Sequence, residues 1–556
     1  MNRVRIHPGP LEERYRAALG EARSASVRSR LWRKDASLWP GPAAEINHRL
    51  GWLDCPQSMV PFIPDMEAFA ESVRAEGFRR VLVLGMGGSS LAPNLYARLL
   101  GTEWGLPLEI LDTTDPVTIR NFTDRFPPEE TLYIASTKSG GTVETLSLLK
   151  YFYRLAVRRL GAERAGGHFC AITDPGSGLA VLAGACRFRR IFLNDPDIGG
   201  RFSALSLFGL VPAALAGASP SRLLEDATTV AEREQREAEA GSIGGLELGV
   251  FLGEAAAAGR DRLLLFHPQD LAPLADWLEQ LLAESTGKEG KGILPVPGND
   301  PEASLEPDEN RVFVFLHPGK AAPPADRLRQ VEQCGCPWVA LDTDPRRDLG
   351  AFLFLWEIAT ACACWRLGVN PFDQPDVESA KEGARRFLEN LDREARLAGG
   401  EDLDCGRGGE ESVARVLRGF LAGAAADGYT ALQAFLPYEP GIRSALENLR
   451  RAAERLSRRP ATAGFGPRYL HSTGQIHKGD AGRGLFIQIT ADDREDLPIP
   501  KAMDSDESTL TFGALKAAQA AGDRAALQKA GRRVLHLHLN TDPADRLRAL
   551  AELLGD

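Results

Sequence analysis

The chain has 556 residues, 44% of them hydrophobic and 26% charged, a balance ordinary for a folded globular protein and unlike that of a disordered or fibrous one. With roughly one domain per 150 to 200 residues, this length predicts two to four domains. A formal net charge of −10 is modest for the size and argues against a general nucleic-acid or anionic-membrane surface, so the expected partner is a small molecule.

The opening "MNRVRIHPGPLEERYR" lacks the continuous apolar core of a signal peptide, and no apolar run is read as long enough to span a bilayer. A cytoplasmic protein is expected. The first fifty or so residues read as helical, packing across the first domain. From about residue 79, apolar strand candidates alternate with helical patterns: "VLVLG", "LEILD", "TLYIAS", "HFCAIT" and "RIFLN". This is the pattern of a parallel sheet covered on both faces. Residues 202–240 read as a helical bridge rich in alanine and leucine. A second strand series follows from residue 261: "RLLLFHP", "GILPVP", "RVFVFLHP" and "PWVALDT". After "AGGEDLDCGRGGEE", which marks an exposed connection, helix-like sequence runs to about residue 459. The strand candidates "GLFIQIT" and "RVLHLHLN" then flank an alanine-rich helix, and this segment is expected to return to the second sheet. Eight cysteines are scattered. Cys334 with Cys336 and Cys362 with Cys364 have one intervening residue, not the two common in zinc sites, so all are read as buried thiols.

Several strand ends carry chemistry. "VLVLGMGGSSL" places Gly85, Gly87 and Gly88 between a strand and a helix, with Ser89 and Ser90 at the helix start, where backbone can approach a ligand. It is not the G-x-G-x-x-G dinucleotide pattern, because position 90 is Ser. "IASTKSGGTVETLSLLKYF" joins a strand to a helix through Ser136, Thr137, Lys138, Ser139, Gly140, Gly141 and Thr142. Exposed backbone N–H groups, a helix start, hydroxyls and a lysine suit a phosphate. An ordinary capped helix with Thr142 as cap residue is an equally good reading of this stretch alone. "DIGGRFSALS" sets Arg201 beside Gly199 and Gly200, an always-charged group able to stabilise an oxyanion. "LAESTGKEGKG" places Glu284 at a helix-to-loop junction. A surface arginine in a turn and a solvated glutamate are the commoner fates of such residues.

The ordered set "GMGGSS", "STKSGGTVET", "GGRFSALS", "ESTGK" and "LGVNPFDQPDVESAK" resembles the glucose-6-phosphate isomerase family. The stretches "RLWRKDASLWP", "EINHRLGWLD" and "LHSTGQIHKGD" resemble most the isomerase half found fused to transaldolase in some bacteria. The resemblance implies an α/β fold of two doubly wound parallel-sheet sugar-isomerase domains with helical N-terminal and C-terminal additions. Its expected boundaries are 1–55 for the helical segment, 56–205 for the first domain, 206–400 for the bridge and second domain, and 401–556 for a helical insertion and a segment completing the second domain.

The implied reaction is reversible isomerisation of glucose 6-phosphate and fructose 6-phosphate through ring opening and a cis-enediol, in glycolysis and gluconeogenesis. Gly87, Gly88, Ser89, Thr137, Lys138, Ser139 and Thr142 would bind the sugar phosphate. Glu284 would carry the proton between C2 and C1, Arg201 would stabilise the enediolate, and Gln374 and Lys381 would contact the open sugar, Lys381 also helping ring opening. One carboxylate and one cation suffice for this exchange, so no cofactor and no metal are expected. A homodimer is implied.

Ring opening needs a proton shuttle, for which histidine suits neutral pH. His477 in "TGQIHKGD" is the expected residue, with His471 in the same loop and His317 in "FLHPGK" as rivals. His477 follows "FDQ" in the chain, the reverse of the family order. His536 and His538 alternate on one strand and read as a polar face. Two alternatives stand beside this function: a broader phosphosugar isomerase that also accepts mannose 6-phosphate, motivated by Gly140 and Gly141, and a non-catalytic phosphosugar-binding regulator.

Overall fold

The computed structural model describes residues 3–101, 105–236, 243–297, 310–317, 325–342, 344, 346–375 and 401–555. Its strands, in chain order, are β1 (Arg3–His7), β2 (Arg80–Gly85), β3 (Leu108–Leu111), β4 (Thr131–Ser136), β5 (Phe169–Thr173), β6 (Arg190–Leu193), β7 (Arg262–Phe266), β8 (Leu294–Pro297), β9 (Arg311–His317) and β10 (Trp338–Asp342). They continue with β11 (Glu401–Asp404), β12 (Tyr429–Phe435), β13 (Ala461–Phe465), β14 (Gly484–Thr490), β15 (Pro498–Pro500), β16 (Ser508–Thr511) and β17 (Arg533–His538).

The strands build three five-stranded sheets and a two-stranded ribbon, β15–β16. The first sheet has the order β3-β2-β4-β5-β6, entirely parallel. Every residue of β4, and of β2 from Val81 onward, is buried, as expected where helices cover both faces. The second sheet, β1-β10-β9-β7-β8, is parallel except for its edge, where β1 runs antiparallel to β10. The N-terminus therefore begins as a strand of the second sheet, not as a helix on the first. "RVRIH" alternates polar and apolar residues over five positions, too short to register as a strand by pattern alone. Beyond it, the helix Glu12–Ser24 also packs on the second part: Arg14 Nε donates to Glu254 Oε1 (2.7 Å), and Tyr15 meets Phe251 edge-on at 5.5 Å. Contact with the first part comes later, where Gly51 N donates to Asp197 O (2.9 Å) and Trp52 lies 5.0 Å from Phe202.

The segment 401–555 does not return to the second sheet. It forms a third, all-parallel sheet, β11-β17-β14-β12-β13, with its own core including Leu417, Leu432, Leu449, Ile487 and Leu535. "YTALQAF" and "ATAGF" are strands inside what reads as a helical insertion. Each sheet contains the same turn of winding, in which one βαβ step goes to one side (β2–β3, β7–β8, β12–β13) and the next strand pairs on the other, which places a topological switch between β2 and β4, between β7 and β9, and between β12 and β14; the third sheet adds β11 at its far edge.

The helix Leu349–Leu367 corrects the reading that no apolar run is long enough to cross a membrane. By length and composition it would span one, but 17 of its residues are buried inside the protein. Six of the eight cysteines are buried and Cys186 and Cys334 are partly exposed; all eight are free thiols.

Within this helix Glu357 is 1% exposed, and neither carboxyl oxygen has a hydrogen-bond partner among the described residues. Burial drives its carboxyl to the neutral form, with its pKa well above the ordinary value. The folded pKa is raised, so the associated stability is fully present below the unfolded carboxyl value of about 4.3 and is lost as pH rises toward the folded value. Thermal unfolding at pH 5 and pH 8 should therefore show Glu357→Gln losing less stability than the native chain over that interval, by up to about 1.4 kcal/mol per pH unit. Equal slopes would mean that the carboxyl is not held neutral.

Candidate active site

The loops after β2 and β4 leave the carboxyl ends of adjacent strands at the switch point of the first sheet, where a doubly wound sheet opens a crevice. After β2 the chain turns through Gly87, whose φ of +56° suits glycine, into the helix Gly88–Leu100. A Cβ on Gly87 would lie 2.7 Å from Gln280 Nε2, and one on Gly88 would lie 1.9 Å from Gly200 O. These glycines let the turn carrying Arg201 and the helix carrying Glu284 close onto the first sheet. Ser89 is half-buried at the helix start.

After β4, Thr137 and Thr142 join hydroxyls at 2.9 Å across the loop, and Ser139 Oγ accepts from Gly141 N (3.2 Å). Thr142 occupies the cap position of the helix Val143–Leu160, yet its side chain makes no cap hydrogen bond. The helix start keeps its own N–H groups and partial positive charge for an anion. Lys138 contributes less free charge than expected, since Nζ donates to Asp174 Oδ2 (2.5 Å) and Pro196 O (2.6 Å). Gly140 has φ +69°, and a Cβ there would meet Leu179 N at 2.4 Å, so its glycine serves the backbone and not a wider pocket.

Arg201, 6% exposed, gathers residues from the helix that ends at Thr286 and from the loop 371–374. Its Nε donates to Ser285 Oγ (2.9 Å) and Pro371 O (3.1 Å), Nη1 to Gln374 Oε1 (3.0 Å), and Nη2 to Pro371 O (2.6 Å) and Asp373 O (2.9 Å). Nη1 also lies 3.3 Å from Glu284 Oε1. Glu284 sits in the last turn of the helix Ala272–Thr286, and its Oε2 accepts from Gln280 Nε2 (3.2 Å). Glu284, Arg201 and Gln374 are thus brought together; Lys381 lies outside the described residues.

Of the two histidines in this loop, the structure brings His471 into contact with Gln280 and Glu144, and sets His477 apart from them. Gln280 Nε2 donates to His471 O (2.7 Å), and His471 Nε2 lies 3.0 Å from Glu144 Oε1. Glu144 is in the first turn of the helix that follows the β4 loop, so one chain of hydrogen bonds, closed by the ion pair between Glu284 and Arg201, runs Glu144–His471–Gln280–Glu284–Arg201–Gln374. His477 is 2% exposed among the rings of Tyr429, Tyr469 and Phe486. Its Nδ1 lies 3.1 Å from Gln433 Nε2, while Nε2 finds no hydrogen-bond partner among the described residues. Burial, aided by the charges of Lys478 and Arg532, holds its pKa well below the ordinary histidine value. A ring sealed in this way and kept neutral is a core residue. His317 ends β9 at the edge of the described stretch. His536 Nε2 and His538 Nδ1 both lie 2.9 Å from Thr490 Oγ1, and no metal-binding group of three or more His, Cys, Asp or Glu occurs among the described residues.

A family model described as phosphoglucose isomerase matches residues 62–292, the span from the first sheet to the loop after Glu284. A glucose-6-phosphate isomerase of Rubrobacter xylanophilus is 31% identical over 361 residues, covering 56% of this chain and 83% of that protein. The chain belongs to the phosphoglucose isomerase family. A second such relative, from Symbiobacterium thermophilum, is 30% identical over 420 residues, 64% of this chain and 90% of that one. Among solved structures, a glucose-6-phosphate isomerase from Chlamydia trachomatis superposes with a TM-score of 0.51 at 21% identity, over 66% of this chain and 79% of its own. A hypothetical protein from Thermus thermophilus reaches 0.56 at 23% identity, over 71% and 100%. Both likenesses concern the fold, mixed α/β with parallel sheets.

Four residues of this cluster carry no assignment from the sequence alone: Glu144, Gln280, Lys288 and Asp373. Gln280 stands four residues before Glu284 on one helix face, a spacing that could have flagged it. Lys288, 1% exposed, donates from Nζ to Asn370 O (2.6 Å), Asp373 O (2.7 Å) and Asp373 Oδ1 (2.7 Å), giving the 370–374 loop a second cationic anchor. Burial, reinforced by the neighbouring Arg201 charge and opposed by Asp373, lowers its pKa.

The close approach at Gly88 gives a direct test. In Gly88→Ala the new methyl must displace the Gly200–Arg201 backbone, and misplacement on the scale of 1 Å lowers kcat/KM by about a hundredfold. The check is isomerase kinetics beside thermal unfolding; a native rate would mean that the Arg201 turn moves without consequence.

Proposed function

We propose that this chain interconverts glucose 6-phosphate and fructose 6-phosphate with Glu284 as the base. The supporting observation is the convergence of Glu284, Arg201 and Gln374 beside an open strand-to-helix loop suited to phosphate. The phosphate sits against Ser89 and the hydroxyls and N–H groups of Thr137, Ser139 and Thr142, while Lys138 ties the loop to Asp174 and adds its backbone. Glu284 removes the C2 proton of the open sugar, the electrons move toward the carbonyl oxygen at C1, a proton passes from the C2 hydroxyl to that oxygen, and the same carboxylate returns its proton to C1. Arg201 faces the oxygens where negative charge develops, which is where a preorganised cation stabilises a transition state most. Gln374 and Lys381 hold the sugar hydroxyls.

His471 opens the ring. Its pairing with Glu144 has the form of a base oriented by a carboxylate, and it lies one residue contact from Gln280 and hence from Glu284. The reaction belongs to the central interconversion of hexose phosphates, in the cytoplasm, with the chain as a homodimer.

The first experiment couples glucose 6-phosphate formation from fructose 6-phosphate to a dehydrogenase. Glu284→Gln should lower kcat by about 10²- to 10⁴-fold while still binding inorganic phosphate. An unreduced rate would remove Glu284 as the base, and an inactive native chain would leave a binding protein. A second comparison separates the histidines. His471→Asn should slow turnover of the cyclic sugar within a folded protein, whereas His477→Asn should lower the melting temperature without changing kcat of the folded fraction. The reverse pattern would restore His477.

A further inference from the structure

The helix Phe512–Lys529 belongs to the C-terminal part of the chain, yet one of its side chains reaches the pair Glu144–His471. Gln519 Nε2 donates to Glu144 Oε1 at 2.8 Å, the same oxygen that lies 3.0 Å from His471 Nε2. Gln519 Oε1 accepts in turn from Thr114 Oγ1 at 2.7 Å, in the loop after β3. Gln519 and Glu144 are each 5% exposed, and Thr114 is fully buried. With a hydroxyl donating on one side and a carboxylate accepting on the other, the amide has a single orientation that satisfies both.

The helix does not need Gln519 to hold its place. Three residues earlier on the same face, Lys516 Nζ donates to buried Asp115 Oδ2 (2.7 Å) and to the partly exposed Asp493 Oδ1, an ion triad that anchors the helix to the first part of the chain. Two nearby carboxyl groups also face the histidine turn: Glu284, through Gln280, and Glu279, whose Oε1 accepts from Ser472 Oγ (3.2 Å) and whose pKa burial pushes up to about 7.

We propose that Gln519 is a positioning residue for ring opening, holding Glu144 Oε1 on the His471 Nε2–H. A carboxylate can only accept, so this contact fixes the imidazole as the Nε2–H tautomer and leaves Nδ1 as the nitrogen that exchanges a proton. The C-terminal unit thus supplies both the histidine and the amide that aims its partner. The inference rests on the reading of His471 as the ring-opening group.

The test uses the full chain with three variants and two ligands, cyclic glucose 6-phosphate and straight-chain 6-phosphogluconate, which has no ring to open. Gln519→Leu should lower kcat for glucose 6-phosphate by roughly 10- to 100-fold, the usual scale for removing an outer-shell orienting group, with inhibition by 6-phosphogluconate unchanged. Thr114→Val should act in the same direction and less. Gln519→Glu keeps the shape but sets a second carboxyl against Glu144, so it orients the pair only while the two share a proton, and the alkaline inflection of the kcat/KM profile should move to lower pH. A native kcat in Gln519→Leu, or a loss of 6-phosphogluconate binding as large as the loss of rate, overturns the proposal. If Gln519→Leu does not fold, an unshifted inflection in Gln519→Glu overturns it instead. The two readings fail separately: a native rate in His471→Asn removes the ring-opening role itself, whereas an inactive His471→Asn beside native Gln519 variants removes only the role of Gln519.

Discussion

Arg201 is a guanidinium almost wholly withdrawn from water, and a buried charge is tolerable only where acceptors and a counter-charge replace its hydration. Here the acceptors come from two separate stretches: the end of the helix carrying Glu284 and Ser285, and the loop 371–374, which offers the carbonyls of Pro371 and Asp373 and the amide of Gln374. Satisfying one arginine therefore fixes the relative placement of everything assigned to the proton transfer. Lys288 repeats the device on the same loop, and beneath both cations an aromatic ladder runs Trp52–Phe202–Phe372–Trp39 with ring centroids 5.0 to 5.3 Å apart. The ladder gives the polar cluster a rigid apolar floor, since aromatic rings in such contact resist displacement. Gly88 has no side chain because the Arg201 turn approaches it this closely, with Gly200 O only 1.9 Å from where a Cβ would stand.

The repeated winding of the three sheets explains where the remaining groups come from. Each sheet directs the loops after its strands toward one end, and a switch point opens a crevice there. The first sheet contributes the two loops suited to phosphate, and the helix between β7 and β8 contributes Glu284. The third contributes from its connections, not from its own switch point: the turn after β13 carries His471, and the helix before β17 carries Gln519 and Lys516. Buried ion pairs and amide contacts, not apolar packing alone, hold this third unit against the first, which suits a surface whose register must place one histidine.

Much of this was legible in the sequence because the relevant signals are local. Buried parallel strands read as unbroken apolar runs, as in "VLVLG" and "TLYIAS", and glycine- and hydroxyl-rich loops between such a run and a helix are recognisable without tertiary context. Signals that depend on partners were not. β1 is a five-residue edge whose identity comes from pairing with β10, more than three hundred positions away. The strands "YTALQAF" and "ATAGF" sit among strongly helical neighbours, and a third core cannot be told by pattern from a continuation of the second. His471 and His477 are six residues apart in one loop; which ring faces Glu144 and which enters the cage of Tyr429, Tyr469 and Phe486 is decided by the turn Arg468–His471 and the short helix Gly474–Gly479. A sequence motif names the loop, but the side-chain direction belongs to the packing.

The contact between Arg201 and Glu284 has a length that matters for chemistry. A closed bidentate pair, with both carboxylate oxygens on the guanidinium near 2.8 Å, would satisfy the carboxylate so fully that proton abstraction would first require breaking it. Instead only Oε1 faces Nη1, at 3.3 Å, while Oε2 takes a similarly long bond from Gln280, and Nη1 divides its attention between Glu284 and Gln374. The guanidinium keeps its strong bonds for carbonyls and Ser285, which hold it in place. It can therefore be positioned by one set of partners and remain available, on its other face, to a carboxylate and to sugar oxygens. Glu284 is oriented by two weak contacts and consumed by neither, the condition that the proposed base must meet if it is to release a proton as readily as it takes one.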